Sequence, residues 1–318
     1  MDHNVDKCSI IKVMDRPNST VPPEPESPPG AGLDLQDPLV TADLFERATE
    51  ANLDSRRREG ATLHLPGRQK VLMTGDLHDH GLNLQRILKL ADLQASDKHN
   101  VVLHEIIHGP GFVNGRDLSV RTLARVAALK LKYPEQVHLL QANHELAQLG
   151  GEGISKDGVN VVKAFDAGID FLYDDQAETV REAMLRFIRS LLLALRLANG
   201  ILCSHSVPSP RVLDGFDFSV LDRVPTDEDL APRGSAYKMV WGRNHTPESA
   251  ETLSRHWEAD VFVMGHQPAD MGYVIETPTM LVLASDHSHG MVLPLNSSGR
   301  YDMDRLIEAM VPLASVVL

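Results

Sequence analysis

The spacing of apolar residues predicts amphipathic helices in several parts of the chain. Leu44, Phe45 and Ala48 fall on one face of a helix over residues 41–58, for which Thr41 is the expected N-cap. Other stretches with helical spacing are 82–93, 117–132 with Asp117 as its N-cap, 176–199 and 247–257.

Short apolar runs bounded by turn residues predict buried strands. The runs at 61–65 and 70–74, joined by the turn pair Pro66-Gly67, are expected to form a hairpin. Further strands are predicted at 101–103, 137–140, 201–204, 260–264, 272–276, 280–284 and 291–295. Because strands and helices alternate, the pattern predicts a layered α/β (α+β) architecture.

The first 40 residues differ in composition from the rest of the chain. They are rich in Pro, Ser, Glu and Asp, most clearly in the stretch 21–30. A segment of this kind buries too little apolar surface to offset its loss of conformational entropy, so residues 1–40 are predicted to form a flexible, extended arm. Residues 41–318 are then expected to form one domain with a helical insert at about 146–199.

Charge and cysteine content exclude some functional classes. A formal net charge of −13 over 318 residues disfavours general attraction to nucleic acids or anionic membranes. No apolar stretch approaches the roughly 20 residues that span a bilayer, and the N-terminus lacks the apolar core of a signal peptide. The two cysteines, Cys8 and Cys203, do not suggest a disulfide framework. We therefore expect a soluble, cytoplasmic protein that binds neither nucleic acid nor membrane, with its oligomeric state left open.

Histidine, aspartate and asparagine residues are concentrated where the predicted strands end. In chain order these strand ends carry Asp76 and His78, Glu105, Asn143 and His144, His205, His266, and finally Asp286 with His287 and His289. A single Gly-Asp pair is an ordinary turn, but a series of such strand ends is a stronger signal, because α/β sheets place their sites at the carboxyl ends of strands. Carboxylate, imidazole and amide groups together are ligands for divalent metals such as Mn, Fe or Zn.

Several of these motifs resemble those of the calcineurin-like metallophosphoesterases, and more narrowly the phosphoprotein (serine/threonine) phosphatases, over about residues 70–295. The matching segments are Gly75-Asp76-Leu77-His78, Asn143-His144-Glu145, Ser204-His205-Ser206, Met239-Val240-Trp241-Gly242 and Gly265-His266-Gln267. The resemblance implies a β-sandwich flanked by helices, with two divalent metal ions at its edge.

The resemblance also implies roles for individual residues. Asp76 and His78 would bind the first metal, Asp76 would also reach the second, and Asn143, His205 and His266 would complete the second. The hydroxide that bridges the two metals would attack the phosphorus atom, and His144 would protonate the leaving alkoxide. Glu105 stands where a second bridging aspartate is expected, so it is predicted to bridge both metals or to bind one of them.

The second motif departs from the family pattern over residues 104–110. His108 replaces the carboxylate that should orient His144, a role for which Glu145 or Asp79 are the alternatives. Gly109 replaces an arginine that should bind phosphate, and the arginine expected before Asn143 is also missing.

Two other arginines are the candidates for binding the substrate phosphate. They are Arg116 and Arg243, and the alternative for each is a solvated surface residue. Five other histidines are open to two interpretations, either as additional metal ligands or as ordinary loop residues. They are His80, His104, His108, His287 and His289.

The leading functional hypothesis is a metal-dependent phosphoesterase that acts on a phosphorylated protein or small molecule. A hydrolase of dinucleoside polyphosphates or other nucleotides is an alternative within the same chemistry. The departures at 104–110 leave a further alternative, which is a metal-binding pseudo-phosphatase that serves as a binding module.

Overall fold

Two β-sheets packed face to face form the centre of the fold. A computed structural model of the chain describes residues 32–151, 153–156 and 158–318, so most of the expected N-terminal arm (1–31) lies outside the described residues. The described helices are α1 (Pro38–Leu53), α2 (Gly81–Ala91), α3 (Val120–Lys132), α4 (Asn143–Gly150), α5 (Val161–Tyr173), α6 (Ala177–Arg189), α7 (Asp227–Leu230), α8 (Ser235–Val240), α9 (Pro247–Trp257) and α10 (Met303–Ala309).

The strands divide between the two large sheets and two short hairpins. They are β1 (Arg58–Glu59), β2 (Thr62–Leu65), β3 (Lys70–Thr74), β4 (His99–His104), β5 (Phe112–Val113), β6 (Arg116–Asp117), β7 (Val137–Leu140), β8 (Ser155–Lys156), β9 (Val159–Asn160), β10 (Ala194–Leu197), β11 (Ile201–Ser204), β12 (Val261–Met264), β13 (Tyr273–Thr277), β14 (Met280–Leu283), β15 (Met291–Asn296) and β16 (Val311–Pro312). The seven-stranded sheet has the order β1-β2-β10-β11-β12-β14-β13, and the five-stranded sheet has the order β16-β15-β3-β4-β7.

The core between the sheets is apolar on both inner faces. Leu63, Leu195 and Val263 of the seven-stranded sheet pack in one buried cluster with Met73 and Val102 of the five-stranded sheet. Helices α1, α2, α3, α5 and α6 cover the outer face of the five-stranded sheet, and α8 and α9 cover the other sheet. The predicted α/β class and the helix-flanked sandwich are therefore confirmed.

Parallel pairing brings the ends of several strands to one edge of the sandwich. Strands β3, β4 and β7 are parallel neighbours in one sheet, and β11, β12 and β14 are parallel neighbours in the other. An isolated bridge between Asp76 and Ala284 links the two sheets at that edge. The carboxyl ends of these strands consequently surround one region of the surface.

Two larger predictions from the apolar pattern were wrong. Residues 61–65 and 70–74 do not form a hairpin, because β2 pairs with β10 whereas β3 pairs with β4 and β15 in the other sheet. The helix expected over 176–199 ends at Arg189, and Ala194–Leu197 is a strand. The run from Leu191 to Leu195 is buried throughout, and a continuous apolar run does not distinguish a buried strand from a helix.

Two predicted helix starts were also wrong. Helix α1 begins at Pro38 rather than Thr41, because Asp37 accepts hydrogen bonds from the N–H groups of Leu39 and Val40. Helix α3 begins at Val120, with Ser119 rather than Asp117 at its N-cap.

The described helices do not have the character of membrane spans. Within the described residues, every helix is too short or too polar to cross a bilayer.

Candidate metal centre

The loops at this edge of the sandwich bring together six residues predicted as metal ligands. Asp76 and His78 follow β3, Glu105 follows β4, Asn143 opens α4 after β7, His205 follows β11 and His266 follows β12. All six are buried, each with an exposed fraction of 8% or less. Residues that are up to 190 positions apart in the sequence thus meet in one place.

The tightest group of donor atoms surrounds the amide oxygen of Asn143. Its Oδ1 lies 2.7 Å from Nε2 of His205 and 2.8 Å from Nδ1 of His266, and these two nitrogens are 3.1 Å apart. Oε2 of Glu105 is 3.4 Å from Nε2 of His205. Ligands about 2.0–2.1 Å from a tetrahedral cation are separated from each other by roughly 3.3 Å, so this group has the spacing of a metal site.

Two further groups of possible ligands adjoin the first. His78, Glu105 and His144 form one, in which Oε1 of Glu105 lies 3.6 Å from Nε2 of His144. Asp76, His104 and His205 form the other, in which Oδ1 of Asp76 lies 3.3 Å from Nδ1 of His104. Glu105 therefore belongs to two groups, and its carboxylate lies between them.

The charge states of the cluster suit a divalent cation. Burial lowers the pKa of His205 to about 4, and burial together with the nearby His205 places the pKa of His266 well below its ordinary value. Burial alone would raise the pKa of Asp76, but hydrogen bonds from His104 and His205 outweigh this effect and hold that pKa well below its usual range. Ionised carboxylate and neutral imidazole are the forms that bind metals.

One buried nitrogen in this region also lacks a partner. Nε2 of His266 accepts or donates no hydrogen bond among the described residues. Buried polar atoms are nearly always paired, so a nitrogen left alone beside a set of metal-type donors is consistent with a site built for a cation. The residues present therefore fit divalent metal ions.

The loop that carries Glu105 is held in a strained conformation. Glu105 has a φ of 48°, and His78 and His108 have φ values of 44° and 60°. The carbonyl oxygen of Glu105 accepts hydrogen bonds from the N–H groups of Leu77 (3.1 Å) and His78 (2.7 Å). Strain of this kind persists only where the surroundings fix the backbone, so the position of Glu105 is determined by its neighbours.

Glu145 supports the same loop from helix α4. Its Oε1 accepts hydrogen bonds from the N–H groups of Ile106 (2.7 Å) and Ile107 (3.2 Å). Burial raises the pKa of this carboxyl group to about 7. Asp79, the other alternative considered as a partner for His144, accepts a hydrogen bond from the Thr122 hydroxyl.

The cluster opens into a cavity of about 400 Å³. Besides the donors, its lining includes Arg243, Gln267, Asp270, Asp286 and His287. Arg243 is thus placed at the site. Arg116 is not among the lining residues, and its guanidinium instead lies 4.6 Å from the ring centroid of Phe171.

The five histidines with open interpretations have different surroundings. His104 and His108 are fully buried beside the cluster, and His108 Nδ1 lies 2.9 Å from Nδ1 of His144. His80 accepts a hydrogen bond from Asn83 N at the start of α2. His287 lines the cavity with Nε2 3.1 Å from the carbonyl oxygen of Ala269, and His289 is exposed.

Sequence reasoning missed two polar residues, Gln148 and Asp166, that continue the contact between His144 and His108. Gln148 lies 3.2 Å from the ring of His108, and it also contacts Asp166. Gln148 is four residues after His144 on α4, and this i, i+4 spacing was the one signal available in the sequence.

Comparison with known proteins gives a consistent picture. The family model described as calcineurin-like phosphoesterase matches residues 69–293. The chain is 27% identical over 181 residues to a protein phosphatase 2A catalytic subunit of Dictyostelium discoideum, a match that covers 55% of this chain and 49% of that protein. The chain thus matches about half the length of this curated relative.

Solved structures share the fold at low sequence identity. A serine/threonine phosphatase from Saccharomyces cerevisiae, similar to human phosphatase PP5, superposes with a TM-score of 0.62 at 13% identity, covering 87% of this chain and 93% of that one. A cold-active protein-tyrosine phosphatase from a Shewanella species gives a TM-score of 0.53 at 17% identity, covering 78% of this chain and 80% of that one.

Proposed function

We propose that this chain, which belongs to the calcineurin-like phosphoesterase family, is a metal-dependent phosphomonoesterase whose active site is the cavity at the edge of the sandwich. The observation that carries this proposal is the convergence of Asn143 Oδ1, His205 Nε2 and His266 Nδ1 within 3.1 Å of one another, beside the Glu105 carboxylate.

Two metal ions are proposed, which would be held by two sets of residues that share Glu105. Asn143, His205 and His266 would hold one ion, and Asp76 and His78 would hold the other, with Glu105 shared. Divalent Mn, Fe or Zn at such sites neutralises phosphate charge and activates water as a nucleophile. The chain supplies two carboxylates here, so an anionic substrate enters a region that is acidic until the cations are bound.

His144 is proposed as the general acid for the leaving group. Its ring lies at the first turn of α4, with Nε2 3.6 Å from Glu105 Oε1 and the side chain at the cavity wall. A proton on Nε2 can pass to the oxygen of the departing alcohol as the phosphorus–oxygen bond breaks. Arg243, which also lines the cavity, is proposed to bind the remaining phosphate oxygens through its guanidinium group.

The proposed substrate class is a phosphorylated protein side chain. The relatives in Dictyostelium, yeast and Shewanella are named as protein phosphatases, one of them acting on tyrosine. A cavity of about 400 Å³ also leaves room for a phosphorylated side chain beside the metal ligands. We propose that this chain hydrolyses phosphoserine, phosphothreonine or phosphotyrosine esters.

Hydrolysis of p-nitrophenyl phosphate by the full chain tests the proposal. Protein stripped with a chelator should be inactive and should recover activity with Mn²⁺, and Asp76→Asn should lose roughly 100-fold or more of the turnover. Asp43→Asn, on the exposed face of α1, is the matched control and should retain the wild-type turnover. Turnover that survives metal removal or Asp76→Asn would overturn the proposal.

Two further outcomes separate the alternatives. Metal binding without turnover on any phosphoester would indicate a binding module rather than an enzyme. Phosphopeptides compared with dinucleoside polyphosphates, at equal concentration, distinguish the proposed protein substrate from a nucleotide.

A further inference from the structure

A continuous chain of side-chain contacts leads from His144 away from the cavity. His144 Nδ1 lies 2.9 Å from Nδ1 of His108, and Nε2 of His108 lies 3.2 Å from Oε1 of Gln148. Nε2 of Gln148 donates to Oδ1 of Asp166 at 2.8 Å. Asp166 in turn lies 3.6 Å from the guanidinium Nε of Arg181. His108 is fully buried and Gln148 is 4% exposed, so the contacts of His108 are shielded from water, whereas Asp166 at the outer end is partly exposed.

The chemistry of each side chain sets the direction of every hydrogen bond in the series from His144 to Asp166. The Asp166 carboxylate, which contacts Arg181, accepts hydrogen bonds, so the amide nitrogen of Gln148 faces Asp166 and its oxygen faces His108. An amide oxygen can only accept, and therefore Nε2 of His108 must carry a proton. In neutral His108 the other nitrogen, Nδ1, is then an acceptor for the Nδ1–H group of His144.

We infer that His108, Gln148 and Asp166 form a positioning relay that keeps the proton of His144 on Nδ1 and directs its Nε2 toward the cavity. The inference rests on the proposed function of His144 as general acid. The family pattern would place a carboxylate next to His144, whereas here the carboxylate is two residues farther along the relay, with an imidazole and an amide between.

Three parts of the fold position the relay, namely helix α4, helix α5 and the loop after β4 that carries His108. Gln148 is on the same face of α4 as His144, one helical turn later. Asp166 comes from α5, and the ring of the preceding residue, Phe165, meets His108 edge to face with centroids 5.3 Å apart. The backbone N–H of His108 donates to the Ser119 hydroxyl at 3.1 Å. The imidazole of His108 is thus held by the side chains of His144, Gln148 and Phe165, as a positioning group requires.

The relay accommodates both protonation states of His144 without moving other protons. When His144 is an imidazolium, Nδ1–H donates to His108 and Nε2–H faces the leaving-group oxygen. After Nε2 gives up its proton, the neutral ring still donates from Nδ1. His108, Gln148 and Asp166 keep the same hydrogen bonds throughout, so their role is orientation and not proton transfer.

A measurement of tautomers tests the relay independently of catalysis. Nitrogen NMR spectra of the metal-free, ¹⁵N-histidine-labelled full chain should show His108 as the Nε2–H tautomer, with its signals identified by their loss in His108→Asn. Gln148→Leu removes the acceptor and should abolish this single tautomer. Asp170→Asn, on the same helix as Asp166 and also paired with Arg181, is the matched control and should leave the signals unchanged.

The kinetic arm compares leaving groups in the metal-loaded protein. An alkyl phosphate needs a proton on its leaving oxygen, whereas p-nitrophenolate departs without one. Gln148→Leu should therefore lower kcat for the alkyl ester about tenfold more than for the nitrophenyl ester. This loss is a part of the roughly 10²–10⁴-fold rate enhancement that a positioned general acid contributes. The double variant Gln148→Glu with Asp166→Asn keeps an acceptor for His108 and should restore the ratio.

These two arms separate failure of the inference from failure of the proposed function. Mixed tautomers of His108 in the wild-type chain, or an unchanged tautomer in folded Gln148→Leu, would overturn the relay even if the enzyme is active. Equal effects on both esters would likewise overturn it. A chain inactive on every phosphoester but with the expected tautomer would retain the relay and refute the role of His144 in catalysis.

Discussion

Gly109 packs directly against Asp79, and a Cβ atom built on Gly109 would lie 2.6 Å from the Cβ of Asp79. The same atom would lie 2.8 Å from the carbonyl oxygen of His78. Gly109 stands where the family pattern has a phosphate-binding arginine. The backbone has therefore closed over the space that such a side chain would need, and the loss of this arginine is built into the packing of the loop.

Restoring the arginine is expected to destabilise the protein rather than to improve phosphate binding. Gly109→Arg and Gly109→Ala should each lower the free energy of unfolding by about 1–3 kcal/mol, because the loop carrying His78 must move to admit a Cβ. Urea unfolding monitored by circular dichroism measures the change. Gly111→Ala is the control, since a Cβ there meets nothing within 4 Å. Equal stability of Gly109→Ala and Gly111→Ala would contradict this account.

Arg243 should be responsible for much of the phosphate affinity. Its backbone N–H donates to Ser209 Oγ at 2.8 Å, which fixes the residue at the cavity wall. Arg243→Ala should weaken inhibition by inorganic phosphate about tenfold or more, because a hydrogen bond to a charged group contributes roughly 1.5–3 kcal/mol. Arg243→Lys should recover part of the loss, since lysine keeps the charge but not the planar pair of donors.

Arg116 provides the comparison for that experiment. It lies on β6 against Phe171, so Arg116→Ala should leave the phosphate inhibition constant within about twofold. A large effect of Arg116→Ala with none of Arg243→Ala would reverse the proposed assignment of the phosphate ligand.

Glu105 should not be replaceable by the aspartate that the family pattern contains. The backbone of Glu105 is held by hydrogen bonds from Leu77 and His78. It therefore cannot shift to bring the carboxylate of a shorter side chain to the same position. Glu105→Asp should lower metal affinity about tenfold or more, and Glu105→Gln should lower it further because the charge is lost. Calorimetric titration of the stripped protein with Mn²⁺ measures both. Tighter metal binding by Glu105→Asp would contradict this explanation.

Much of the fold could be predicted because the strands are short apolar runs that end at turn residues. Val101–Leu103 and Val137–Leu140 were found in this way, and the structure extends the first of them by only a few residues. The pairing of β2 with β10 could not be found, because the two strands are more than 120 residues apart. The strand Ala194–Leu197 was missed because a strand that is buried on both faces shows no alternation of apolar and polar residues.

The candidate site was more accessible to sequence reasoning than the network behind it. The donors at Asp76, Asn143 and His266 follow strands in a recognisable chain order, and parallel pairing then brings strand ends together. The contact of Gln148 with Asp166 joins two helices whose relative placement no local pattern encodes. His108 was recognised as a departure, but its hydrogen-bond partners depend on how α4 and α5 pack, which the sequence does not show.

Asp117 should make the stability of the protein depend on pH. Its Oδ1 accepts from Ser119 N at 2.8 Å, its Oδ2 has no hydrogen-bond partner among the described residues, and burial raises its pKa to about 6. Because the folded pKa exceeds the unfolded value of roughly 3.9, this proton stabilises the fold fully below about pH 4, and the contribution is lost as pH rises through 6. Asp117→Asn should abolish the effect, so its unfolding free energy relative to wild type should rise by about 2–3 kcal/mol between pH 4 and pH 7. Urea titrations at several pH values measure this difference, with Asp43→Asn as an exposed control. A difference that stays constant with pH would show that folding does not raise the pKa of Asp117.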